Sequence, residues 1–260
     1  MAMPMDAAPQ RMPARTGNGA IPGGRTRVLE EDRGLCEIVG DERAARAIAA
    51  SLAAVVNVRT GLWDAAGDAG LARDGYGLLI LDGLLVRRVG TEGRYGAELL
   101  AMGDLLRPWE HDGEGVLPFE SAWRVVATAR MAVLDRRWAA HMAPYPEVAG
   151  GLMGRLLVRS RRLATLMAIA QHPRLDQRLW LLFWELADRY GVVHPDGVHI
   201  GLPLTHDIIS HLAAAQRPSI SSALGRLAAN GVLRREGRTW ILTGDPPEPR
   251  TEPPPSGQAA

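Results

Sequence analysis

Lysine is absent from this 260-residue chain, so all 30 of its basic side chains are arginine. Set against 29 acidic residues they leave a formal charge of +1. That balance excludes a grossly basic nucleic-acid coat protein, while a local basic patch stays open. Cysteine occurs once, at Cys36, which rules out an intrachain disulfide and any multi-cysteine zinc or iron–sulfur site. No apolar run approaches the roughly 18 residues that span a bilayer, and the opening residues lack the apolar core of a signal peptide. A globular, cytoplasmic protein with no membrane partner is expected. What is present suits that: 47% hydrophobic and 23% charged residues can build a real core.

The chain divides by composition. Residues 1–26, rich in Pro, Gly, Ala and Arg, and 245–260, rich in Pro, read as mobile tails. Residues 27–143 are cut by glycines into short apolar runs, which predicts a β-roll or jelly roll. Tyr76–Val89 reads as two strands about an Asp82-Gly83 turn, and Glu98–Leu106 as a similar pair about Gly103-Asp104. Trp123–Thr128 and Met131–Leu134 are further short strands, and Glu42–Val56 is one helical segment. Across 144–171, Ala149, Leu152, Leu156, Arg159, Leu163, Leu166 and Ala170 recur at steps of three and four. That spacing predicts a long helix over 147–171 whose a/d seam pairs with a second copy of the chain. The alternative is a helix packed on its own sheet.

Residues 172–244 carry the chemistry. Leu175–Tyr190 is helical and ends at Gly191, a residue type suited to a left-handed C-terminal position. A loop, 194–197, leads to a short strand over 198–202. Thr205 caps a short helix, a turn of three or four residues follows, and a second helix opens at Arg217-Pro218. Ile220, Leu224 and Leu227 form its buried stripe. The opposite face presents Arg217, Ser219, Ser222 and Arg226, with Pro218 and Ser221 beside them, and no carboxylate lies between Arg217 and Asn230. Such a face suits a phosphate-lined groove. A hairpin over 232–242 follows, with Arg234, Arg235 and Arg238 near its tip. Helix, turn, helix and basic hairpin make a winged helix-turn-helix. Double-stranded DNA is the expected partner, read by a homodimer.

This order of parts over about 76–243 resembles the Crp/Fnr transcription regulators, most specifically in 204–242. The resemblance implies an α+β protein: a cyclic-nucleotide-binding-like β-roll, a dimerisation helix and a C-terminal winged helix-turn-helix, with RNA polymerase as a further partner. It puts Arg217 at the position that reads guanine, and Thr205, Gln216, Ser219 and Arg238 at phosphate-contacting positions. Pro218 and Ser222 depart from the usual base-reading residues, so no operator sequence carries over. Ala214 stands where many such turns use Gly.

The sensor half departs further. A buried cyclic phosphate wants an arginine fork, yet Glu120-Ser121-Ala122 stands where the resemblance expects Arg-Ser-Ala, and Arg107-Pro108 where it expects Gly-Glu. Ordinary cyclic AMP is therefore not expected, no cofactor is assigned, and the effector is open, including a regulator with none. A haem-binding version would draw on His111, His141 or Cys36, each more simply a surface or packing residue. Arg87-Arg88 at a strand end could bind an anion, but adjacent side chains on a strand point to opposite faces, which favours a solvated reading. Trp109 and Trp123 read as core or interface packing, with the lining of a ligand pocket as the alternative. His206 and His211 are ill-placed to share a metal. No Ser/His/Asp or paired-carboxylate arrangement marks an enzyme. A cupin-like catalytic roll would need a cluster of histidines, and 76–135 holds one.

Overall fold

The structure is a computed structural model that describes residues 17–248 apart from 69, 73, 93 and 110–118. Two compact units divide the chain at residues 167 and 168. The expected tail residues 1–16 and 249–260, and His111, lie outside the described residues.

The first unit runs β1 (Ile21–Arg27), α1 (Val28–Glu31), α2 (Arg33–Glu37), α3 (Asp41–Ala50), β2 (Leu52–Val58), β3 (Gly61–Trp63), β4 (Gly77–Thr91), β5 (Arg94–Ala101), β6 (Leu105–Leu106), β7 (Glu120–Leu134), α4 (Arg136–Met142) and α5 (Pro146–Ala170). All strand pairs are antiparallel, in the order β1-β2-β7-β4-β5, with β3 also on β7 and β6 also on β4. Alternation along β4 sends Leu78 and Ile80 into one core, with Trp63, Leu85, Leu100, Trp123 and Met131. Leu79 and Leu81 enter a second core, with Leu29, Leu35, Trp138, Val148 and Leu152 from the helices. Burial on both faces is why the run Leu78-Leu79-Ile80-Leu81 is unbroken by polar residues.

Five expectations for this unit need correction. Asp82-Gly83 is a bulge within one long strand, not a hairpin turn. Ile80 faces Met131, Asp82 faces Arg130 and Leu84 faces Ala127, so β7 supplies a continuous partner past the break. Gly83 is required there: its φ is +106°, and a Cβ would lie 2.5 Å from the Thr128 carbonyl oxygen. The two segments expected at 123–128 and 131–134 are likewise one strand, β7. Around Gly103, β5 and β6 do not pair with each other; both lie on β4, and Ile80 exchanges backbone hydrogen bonds with Gly103 and Asp104 across the bulge. The helix beginning near Glu42 stops at Ala50, where buried Ser51 donates its hydroxyl to Ile48 O, and the β-branched run Val55-Val56 continues as β2. Finally, residues 21–26 of the supposed tail belong to the edge strand β1 on β2. An edge strand tolerates Pro22 because the side that faces away from the sheet needs no N–H donor.

Helix α5 spans 25 residues, on the order of 37 Å, and the expected seam is split between two faces. Leu152 is only 1% exposed and belongs to the helix-side core of its own sheet. Arg155 forks onto Asp32, with Nη2 to Oδ1 at 2.6 Å. Arg159 forks onto Glu98 at 3.0 and 2.6 Å and also donates to Leu105 O. Burial opposes the charge on Arg159, but the Glu98 hydrogen bonds outweigh it and hold its pKa above the ordinary arginine value. Leu152 and Arg159 thus face inward, and Leu166 is half-buried. The outward apolar stripe is Met153, Leu156, Leu157, Leu163 and Met167; Leu157 is 58% exposed and Met167 70%.

The second unit runs α6 (Leu175–Tyr190), β8 (Gly191–His194), β9 (Gly197–Ile200), α7 (His206–Leu212), α8 (Arg217–Ala229), β10 (Leu233–Glu236) and β11 (Thr239–Leu242). Its antiparallel sheet has the order β10-β11-β9-β8. Leu179, Leu182 and Phe183 of α6, Ile208 and Ile209 of α7, and Ile220, Leu224 and Leu227 of α8 are buried; Phe183 meets Trp240 of β11 at 5.1 Å between ring centroids. Strand β8 was not foreseen, since only Val192 and Val193 separate Gly191 from the turn. Gly191 is also not left-handed: its φ is −80°. Glycine is needed there for close approach, because a Cβ would lie 2.4 Å from Ala187 O and 2.5 Å from Val198 Cγ1.

Candidate nucleic-acid interface

Helix α7 begins where Thr205 accepts a hydrogen bond from Ile208 N at 3.2 Å. That leaves the exposed Thr205 hydroxyl proton available to an outside acceptor. The turn to α8 is pinned from two sides. Ala215 N donates to Ser210 O at 2.9 Å. Arg178 of α6, a residue the sequence reading passed over, donates through Nη1 to Ala213 O and Ala214 O at 3.0 and 3.2 Å, and through Nη2 to His172 O at 2.7 Å.

Ala214 has φ +48°, the left-handed region that costs a residue with a Cβ about 1 kcal/mol or more. Ala214→Gly is therefore expected to raise stability by about 0.5–1 kcal/mol, after allowing for the extra unfolded-state freedom of glycine. Chemical denaturation of the full chain checks this; an unchanged or lowered midpoint would refute the strain.

Gln216 is the N-cap of α8 and makes no side-chain cap bond, while Pro218 sits in the first turn, where a missing N–H costs nothing. The buried face is Ile220, Ala223, Leu224 and Leu227; Gln216, Arg217, Pro218, Ser219, Ser221, Ser222 and Arg226 are all exposed. Fold and sequence agree on which face is free, but the donors on it are not equivalent. Among the described residues no hydrogen-bond or ionic partner meets the side chain of Arg217 or Ser219. Ser222 Oγ donates to Pro218 O at 3.3 Å. Ser221 Oγ lies 2.9 Å from His206 Nδ1, tying α7 to α8, and within reach of Arg217 O at 3.4 Å.

Arg226 is the exception to the acid-free face. Its Nε and Nη2 donate to Asp176 of α6 at 2.8 and 2.6 Å. The hydrogen bonds lower the Asp176 carboxyl below its ordinary range and raise Arg226. No reading of 217–230 alone could have found that carboxylate, which stands 50 residues upstream.

The hairpin β10–β11 turns at Gly237-Arg238, one residue later than the Glu236-Gly237 turn that the sequence suggests, with Gly237 at φ +58°. Arg234 is paired with Asp196 and with Glu236, and Arg235 lies over the Trp240 ring at 5.0 Å. Arg238 is exposed with no such partner among the described residues. His206 and His211 do not converge: His211 Nδ1 bonds Asp207 O at 2.7 Å. In the sensor half, Glu120 accepts from the Tyr95 hydroxyl, His141 is exposed in the last turn of α4, and Cys36 is half-buried against the helix-side core.

Two helices joined by a strained tight turn, a free face on the second, and a β-hairpin with a cationic tip define a winged helix-turn-helix unit. Residues 177–248 match the family described as the Crp-like helix-turn-helix domain. No curated protein matches the sequence. Among solved structures, a cyclic nucleotide-binding domain containing protein from Listeria monocytogenes is similar with a TM-score of 0.58 at 14% identity, covering 81% of this chain and 96% of that one. FixK2 from Bradyrhizobium japonicum gives 0.53 at 17% identity, covering 74% and 93%. A CooA mutant from Carboxydothermus hydrogenoformans gives 0.51 at 15%, covering 84% and 91%. The chain carries a Crp-like helix-turn-helix domain after a cyclic-nucleotide-binding-like β-roll, and so has the architecture of the Crp/Fnr regulators. Among the described residues no helix is long and apolar enough to cross a membrane.

Proposed function

We propose that the protein is a sequence-specific transcription regulator, not an enzyme, that binds a palindromic DNA operator as a homodimer. The observation that carries this reading is the exposed start of α8, where Arg217 and Ser219 have no partner of their own. In the major groove Arg217 donates two hydrogen bonds to a guanine edge. Thr205, Gln216, Ser219 and Arg238 donate to phosphates and fix the register, while Ser222 faces the bases beyond Arg217. Arg226 is engaged by Asp176 and Ser221 by His206, so these two stand outside the contact set. The dimer forms along the outward stripe of α5 (Met153, Leu156, Leu157, Leu163 and Met167), and RNA polymerase is the partner at the promoter.

Selection of bound duplexes from a random pool tests this. The expected product is an inverted repeat whose half-sites are centred about one helical turn apart, roughly 34 Å. Affinity for it should fall steeply with salt as phosphate contacts release counterions. Recovery of unrelated sequences, or of single half-sites, would overturn the reading.

A further inference from the structure

Sequence spacing speaks only against His206 as a metal ligand; the fold gives its imidazole another place. His206 is the first residue of α7, directly after the Thr205 cap, and is half-buried. Its Nδ1 lies 2.9 Å from Ser221 Oγ, and Ser221 stands exposed on α8 about one turn after Arg217. The ring thus joins two groups on the free side of the motif, the exposed Thr205 next to it in the chain and the exposed edge of α8. Among the described residues its second nitrogen, Nε2, has no partner.

The charged groups around the ring are few. On α8 the nearest along the helix is Arg217, whose backbone oxygen accepts from Ser221 Oγ at 3.4 Å. On α7, Asp207 follows His206, but its carboxylate lies 3.9 Å from His211 Nδ1 and its side chain is 62% exposed. From α6, Arg178 is engaged at the turn, and Asp176 holds Arg226, five residues past Ser221 and so well round the helix. No carboxylate among the described residues pairs with the His206 ring. A neutral imidazole carries one N–H. Given to Ser221, it leaves Nε2 a bare acceptor that repels a phosphate oxygen; kept on Nε2, it makes an uncharged donor. The imidazolium fills both roles. Its Nδ1–H donates to Ser221 Oγ, the Ser221 hydroxyl keeps its bond to Arg217 O, and Nε2–H faces outward as a charge-assisted donor, the stronger kind.

We infer that operator binding is proton-linked through His206: DNA beside Thr205 draws a proton onto the ring, which then donates from Nε2 to a phosphate. The inference rests on the DNA-binding reading and adds a proton to it. Histidine is the side chain whose charge ordinarily changes between about pH 5 and pH 8. In the free protein the imidazolium meets the Arg217 charge and no paired carboxylate, whereas in the complex it meets a phosphate anion. The charged ring is therefore favoured by DNA. Linkage is reciprocal, so the proton favours DNA in turn, and affinity rises as pH falls. His211 is no equivalent, because its Nδ1 bonds Asp207 O within α7. His194 and His199 stack on each other at 4.1 Å between ring centroids, with His199 on Asp196 of the β8–β9 turn.

Fluorescence anisotropy of the full chain with the selected duplex, at about pH 6 and about pH 8 and one ionic strength, tests this. Wild type is expected to bind about three- to tenfold more tightly at the lower pH, the scale of one added charged phosphate contact. Calorimetry in two buffers of unlike ionisation enthalpy should show net proton uptake on binding near neutral pH, which mere support of the helix pair would not produce. His206→Gln, whose amide can still bond Ser221, should bind at both pH values as wild type does at the higher one, with no uptake. His206→Arg, a fixed charge, should hold the tighter affinity at both, and keeps the test open should His206→Gln fold poorly. His211→Gln should retain the wild-type dependence. Equal wild-type affinity at both pH values, or a pH dependence and proton uptake that survive in His206→Gln, overturns the inference and leaves the DNA-binding reading standing. No DNA bound at either pH overturns that reading, and the inference with it.

Discussion

Arg217→Ala is expected to weaken operator binding by about 5- to 150-fold, the equivalent of roughly 1–3 kcal/mol for one bidentate contact to guanine. The loss should be confined to sequences carrying guanine at one position of each half-site, so that preference at that position relaxes while the others hold. Folding should be unaffected within about 0.5 kcal/mol, because the Arg217 side chain is exposed and bonded to nothing among the described residues. Arg238→Ala supplies the contrast. A phosphate contact at the hairpin tip carries no base information, so its removal should lower affinity evenly across sequences and reduce the salt slope by about one. Competition binding against a set of single-base operator variants separates the two patterns. Equal losses on all sequences for Arg217→Ala would remove it from base reading.

The start of α8 was legible because its signals are local. A proline in the first turn, apolar residues at steps of four and three, and polar residues on the remaining arc are all contained within one stretch of a dozen residues. Ala214 is a local signal too: only the turn's backbone was needed to foresee its strain. What the sequence hid depends on long-range pairing. Asp176 reaches Arg226, and Arg178 reaches the turn, only because α6 packs on α8. In the roll, Asp82-Gly83 carries the composition of a hairpin turn, and nothing nearby in sequence announces that β7 will run uninterrupted past it. Arg87, whose side chain is only 13% exposed beside Glu98 and Trp123, misled for the same reason, since exposure of a strand residue is set by what covers that face. A helix seam suffers most, because steps of three and four mark an apolar face without saying what lies against it.

That ambiguity in α5 makes a paired prediction with opposite signs. Leu157→Glu puts a charge in the middle of the outward stripe, where the residue touches nothing of its own core. The fold should therefore survive while the dimer dissociates, because a carboxylate buried at the partner helix has no ion to meet it. Loss of the second recognition helix removes the intramolecular advantage of two linked half-site contacts, so operator affinity should drop by about 10²- to 10⁴-fold. Leu152→Ala acts on the other face. It opens a cavity among Leu35, Val148 and Trp138, and should cost about 2–5 kcal/mol of unfolding free energy, yet leave the association of folded chains in place. Sedimentation and chemical denaturation of both variants, measured side by side, decide the matter. Dissociation by Leu152→Ala without loss of stability, or an intact dimer in Leu157→Glu, would return the interface to the 152/159 register and displace the outward stripe from it. The physical reason to expect otherwise is the pair of arginine forks. With Arg155 on Asp32 and Arg159 on Glu98, the inner arc of α5 is already committed to its own sheet, and the apolar residues of the outer arc are left for a second chain to cover.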